Sequence, residues 1–186
     1  MEDLQPYFHL GWFHLMNFLA WDHWVYLLLL VIPYEFQDWK KLITSISLFT
    51  LGHTLALFLS LANVFSISPT WIENGILTTI IVTALINFSR PNGAQKKWEI
   101  IWLPATFGMI HGLGFGNDLA NMWPQNQKLA SIFGFAMGLE SAQLIGVISI
   151  LVLVTIFRSI WANKQRDLVL ITSGIGLGAA LIHLIF

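Results

Sequence analysis

Five ionisable side chains interrupt stretches that are otherwise oily. Asp22 and His23 sit in LAWDHWVYLLLL, His53 in FTLGHTLAL, His111 in FGMIHGLGFG and Glu140 in GFAMGLESAQL. On insertion scales, a charge at the centre of a helix in lipid costs about 2.5–3.5 kcal/mol. That cost falls if the groups face one interior and satisfy each other, a cation or water. Three imidazoles and two carboxylates form a donor set for a divalent transition metal. Imidazole suits zinc, nickel, copper and iron, and carboxylate balances their charge.

The neighbours fit that chemistry. Gly52 precedes His53, Gly108, Gly112, Gly114 and Gly116 surround His111, and Gly134 and Gly138 precede Glu140. Small residues let membrane helices approach closely. Gln143 follows Glu140 by three residues on the same helix face. Thr50 and Thr54 flank His53, and His14 precedes Asp22 by eight residues. His14, Thr50, Thr54 and Gln143 are therefore candidates for holding the ligands from behind. The remaining polar residues read more plainly. A lone membrane histidine more often bonds a neighbouring helix than a metal. His9 and His183 fall near the ends of apolar runs and read as interfacial. Glu73 and Asp118 read as solvated acids near loops. Trp71, Trp98, Trp123 and Trp161 read as an aromatic belt. Asn87 either lines a polar path or caps a helix.

The elements that must position these groups follow from composition. Of 186 residues, 56% are hydrophobic and 10% charged, against about 25% charged in a soluble domain. The class is a membrane protein. A net charge of −1 argues against nucleic-acid binding, and the absence of cysteine excludes disulfides, thiolate ligands and cysteine catalysis. The acidic start MEDLQP lacks the basic region of a cleavable signal peptide.

A helix of roughly 20 apolar residues spans a bilayer core. Six segments qualify, at about 7–32, 42–64, 71–88, 100–120, 129–157 and 168–186. The expected fold is an all-α polytopic bundle, 1–186, forming one integral membrane domain. The first segment is long enough to be one tilted helix or a short re-entrant helix and a span, so seven crossings are the alternative to six. Within these spans the five ionisable groups fall near mid-helix, at depths that agree within one or two turns of about 1.5 Å rise per residue.

Basic residues set the orientation. Lys40, Lys41, Arg90, Lys96, Lys97, Arg158, Lys164 and Arg166 fall in the first, third and fifth loops, and Lys128 alone falls in the fourth. Cytoplasmic loops collect Lys and Arg. Both termini are therefore expected outside, in a multi-pass protein of a bacterial inner membrane.

The motifs LGWFHLMNFLAWDHWVYLL, FTLGHTLALFLS, GMIHGLGFGNDL and GFAMGLESAQL resemble those of the HupE/UreJ family of small bacterial membrane proteins, in order and over nearly the whole chain. Many members carry a histidine six residues before the aspartate and a glycine two before it. Here His14 is eight before Asp22, and Ala20 takes the glycine position. The resemblance implies a hydrogenase or urease accessory protein and a nickel or cobalt permease.

Three functions compete on these residues. The first is a permease or membrane metal-binding protein for nickel, cobalt, zinc, copper or iron, with Asp22, His23, His53, His111 and Glu140 as ligands near the midplane. No P-loop is present, so transport would be passive, ion-coupled or partner-driven. The second is an intramembrane zinc hydrolase, with three histidines on the metal and Asp22 or Glu140 as general base. The absence of an HExxH motif weighs against it. The third is a structural subunit of a membrane complex, in which the polar cluster only joins helices.

Overall fold

The structure, a computed structural model, describes residues 4–185 except 18, 63, 65, 66, 93–95, 121–127 and 162–164. Of 116–120, 128, 129 and 161 it describes the backbone alone. Gly116, Asp118, Trp123, Trp161, Lys128 and Lys164 thus lie outside the described side chains. Among the described residues, regular structure is helical throughout. The order is α1 (Gln5–Met16), α2 (Trp21–Val31), a 3-10 turn (Phe36–Asp38), α3 (Trp39–Leu61), α4 (Pro69–Ser89), α5 (Lys97–Ala120), α6 (Lys128–Trp161) and α7 (Gln165–Ile185). Four described stretches are long and apolar enough to cross a membrane: Phe36–Leu61, Pro69–Ser89, Ala130–Ile160 and Gln165–Ile185.

The first apolar segment is two helices. Asn17 is the cause. Its N–H still bonds the Phe13 carbonyl, but its backbone turns extended at ψ 109°. Its Oδ1 then accepts the Leu19 N–H at 3.1 Å. An asparagine that bonds the backbone two residues on competes with the helix ladder. Trp21 restarts the helix. At 1.5 Å per residue, α1 and α2 are each about 16–18 Å long, roughly half a bilayer core.

These two short helices lie end to end along α6 and run in its direction. Gly134 meets Leu4 and Tyr7, Gly138 meets Phe8 and Trp12, and Gly146 meets Trp24 and Leu27. Farther along, Arg158 donates to the carbonyls of Ile32 at 2.6 Å and Tyr34 at 3.1 Å. Pairing α1 with α6 depends on glycine, because a Cβ at Gly11 or Gly138 would collide with backbone carbonyl oxygens of Phe135 or Phe8. The contact of α3 with α5 uses the same device. Cβ atoms at Gly52, Gly108 and Gly112 would strike the carbonyl oxygens of Ala105, Phe49 and His53. Close backbone approach supplies the van der Waals contact that lipid cannot out-compete.

Helix α4 packs on α7, α2 and α5 and closes the bundle. Leu15, Leu29, Leu57, Ile80, Phe135 and Leu139 are fully buried and form one core. At the loop after α4, Arg90 forms an ion pair with Glu99, whose residue is 4% exposed. Asn87 donates to the Leu29 carbonyl at 2.9 Å, which ties α4 to α2.

Candidate metal centre

The break between α1 and α2 is where the histidines gather. His14 is in the last turn of α1, and Asp22 and His23 are in the first turn of α2. His53 arrives from α3 and His111 from α5. The His14 ring lies 4.9 Å from that of His23 and 5.7 Å from that of His53, measured between centroids. His23 lies 5.3 Å from His111. Four imidazoles from four helices thus touch in a row. Within that row, ligand atoms of Asp22, His23 and His111 all fall within 4.8 Å of one another. A shared cation about 2.0–2.2 Å from each nitrogen and oxygen fits such a spacing.

The hydrogen bonds around the row fix which nitrogens are free. His23 Nδ1 and Asp22 Oδ1 are 3.1 Å apart, and a carboxylate only accepts, so Nδ1 carries the proton. Nε2 of His23 is buried and has no partner among the described residues. His111 Nε2 meets Thr79 Oγ1 at 3.2 Å. The Thr79 hydroxyl donates its one proton to the Ile76 carbonyl at 2.7 Å, so His111 Nε2 must donate to Thr79. Among the described residues its Nδ1 is left as a buried lone pair without a partner. His14 Nε2 and both nitrogens of His53 are likewise buried without partners among the described residues. An unpaired polar group in a medium without water costs several kcal/mol. Here the rings that carry the unpaired atoms adjoin one another, and imidazole nitrogen suits transition metals.

Aromatic rings wall the row. His53 stacks on Phe135 at 5.9 Å, and Phe115 lies 4.0 Å from His14. Phe49 and Tyr26 flank His111 at 5.2 and 5.7 Å. His23, His53 and His111 are buried, at 8%, 0% and 2% exposure. Asp22 differs, since its side chain keeps 21% exposure. Its place in the first turn of α2 also sets its charge against the positive end of that helix.

The structure leaves Glu140 apart from this row. Its Oε1 accepts the Ser47 hydroxyl at 2.6 Å. It lies five residues beyond Phe135, about 7.5 Å along the α6 axis. Thr50 and Gln143 are bonded to each other at 2.7 Å. The Thr54 Oγ1 has no partner among the described residues. The row is also off-centre: His53 lies eight residues from the end of α3 at Leu61 and fourteen from its start at Trp39. The bundle end nearer to it is the one that holds the start of α1 and the end of α7.

Two residues gained a place that sequence reasoning did not give them. His14 sits inside the row rather than behind it. Thr79, not singled out in the sequence, fixes the His111 tautomer in the way carboxylates and carbonyls do behind zinc-bound histidines. Its only sequence signal is a hydroxyl near the middle of an apolar helix. Across the whole chain, residues 1–186 match the family described as HupE / UreJ protein. No curated protein and no solved structure matches the chain.

Proposed function

The chain belongs to the HupE / UreJ family, and from that premise we propose that it is a transition-metal permease of a bacterial inner membrane, with nickel or cobalt as its cargo. Four facing imidazoles with unpaired buried nitrogens beside Asp22 carry this reading. Asp22, His23 and His111 hold the cation, and His14 and His53 extend the ligand row along the break. A broken helix at a binding site is a recurring transporter device, because unwound backbone is tolerated only where it lines a cavity or is buried in protein.

The protein is one domain with six crossings. Helices α1 and α2 run in one direction along α6 and so make one crossing together. Six crossings bring eight of the nine Lys and Arg to one side and both termini to the other, outside.

Other functions draw less support. A cluster that only joined helices would use up its own hydrogen bonds, yet several of its nitrogens have no partner among the described residues. For a zinc hydrolase Asp22 or Glu140 would serve as general base, but Asp22 already accepts from His23 and Glu140 from Ser47.

Calorimetric titration of the purified protein with nickel, cobalt and zinc tests the site. Wild type should bind about one ion. His111→Ala should lose at least tenfold in affinity, the lower end of what loss of a metal-supporting group costs. Equal binding by both proteins contradicts the reading. Nickel uptake into vesicles that depends on His111 separates a permease from a static metal-binding protein.

A further inference from the structure

A cavity of about 230 Å³ opens on the row from the end of the bundle that holds the start of α1. Its lining is Trp21, Asp22, Glu73, Ile76, Leu77 and His183. Three helices build it: the start of α2, the first turns of α4 and the last turn of α7. Asp22 is the hinge of the arrangement. Its carboxylate belongs to the buried ligand group and also lines the open cavity. Glu73 and His183 are exposed. The His183 ring is not a loose end, because it stacks on Trp21 at 4.5 Å and 22°. Among the described residues no Lys or Arg lines the cavity, and two carboxylates face it.

From this we propose that Glu73 and His183, with the outer face of Asp22, form a docking site for a partly hydrated divalent cation before it enters the buried row. The inference rests on the permease reading above. Size supports it. A water occupies about 30 Å³ of liquid volume, so a cavity of this size takes a cation with several of its waters still attached. Charge supports it too. A cleft lined by one sign of charge, with low-dielectric walls, raises the local concentration of counter-ions and their on-rate by about 10–10³-fold. Chemistry gives the order of events. Glu73 and Asp22 offer oxygen to a hydrated ion, and His183 offers the first nitrogen. His23 and His111 then replace the remaining water with nitrogen donors.

Stopped-flow measurement of nickel chloride binding to the full-length protein in nanodiscs tests it, with a chromophoric chelator reporting free nickel. A docking site on the way in lowers the barrier in both directions. Glu73→Gln should therefore slow association and dissociation together, each by about tenfold, and weaken the dependence of the on-rate on ionic strength. Glu73→Lys should slow association further, by about a hundredfold, and His183→Ala by about threefold. Unchanged rates in Glu73→Gln overturn the docking site while leaving the buried centre intact. An unchanged on-rate with faster release would make Glu73 a ligand of the buried centre and equally overturns it. If wild type takes up no nickel, the buried centre itself is refuted, and the docking site goes with it.

Discussion

Two sets of buried or half-buried polar side chains in this bundle are treated differently. Along α3 and α6, Ser47 bonds Glu140 and Thr50 bonds Gln143, at 2.6 and 2.7 Å. Near the loop after α4, Arg90 pairs with Glu99. Every one of these groups has a partner from a neighbouring element. At the break between α1 and α2, His14, His23, His53 and His111 keep nitrogens with none among the described residues. A satisfied pair joins helices and needs nothing more. An unsatisfied set in lipid carries a cost that a bound cation or water relieves. Burial alone therefore does not single out the candidate site here; unpaired nitrogens on rings that touch one another do.

Mutations sharpen the contrast by separating fold from binding. The largest effect should come from Gly112→Val. A Cβ there strikes the His53 backbone, and two helix backbones cannot yield as a side chain can. The cost should exceed the about 1–3 kcal/mol of ordinary overpacking. Little folded protein should reach the membrane, measured by fluorescence-detected size exclusion of a tagged copy. A normal monodisperse peak would show that α3 and α5 do not need this contact.

Thr79→Val comes next. It removes the acceptor that fixes His111 with Nδ1 free. Nickel affinity should fall about 10–100-fold, as it does when partners behind a metal ligand are lost. Valine keeps the shape but strands the His111 Nε2–H, so the thermal midpoint should fall as well. Thr79→Ser keeps the hydroxyl and should restore most of the affinity. Failure of serine to rescue would mean that Thr79 acts through packing.

Gln143→Leu should have the smallest effect, and on the other axis. It breaks the pair with Thr50, and such interhelical bonds are worth about 0.6–1.7 kcal/mol in membranes. Stability should drop by about that amount in a denaturant titration, with nickel affinity unchanged. A loss of nickel binding there would merge the two polar sets into one.

The sequence made the ligand types visible and hid part of their arrangement. Asp22, His23, His53 and His111 stood out because each interrupts an apolar run. His14 was obscured by helical geometry. On a continuous helix its nine-residue separation from His23 is about 13.5 Å of rise, whereas the rings lie 4.9 Å apart. The turn at Asn17 makes the difference, and Asn17 is a single polar residue in a long oily segment. Glu140 was grouped with the histidines by depth counted from approximate helix ends, and the structure bonds its carboxylate to Ser47 of α3. Thr79 gave no signal, because a threonine in a membrane helix usually spends its hydroxyl on its own backbone. Here it does that and also accepts from a histidine. The glycines that let α3 touch α5 were legible by type and by place.

The most direct test of the central claim is X-ray absorption spectroscopy of the nickel-loaded protein beside His111→Ala at matched nickel content. The account predicts a nitrogen and oxygen shell in wild type with outer-shell scattering from at least two imidazoles, and fewer imidazoles in His111→Ala. A wild-type spectrum without imidazole scattering, or one that His111→Ala leaves unchanged, would contradict it.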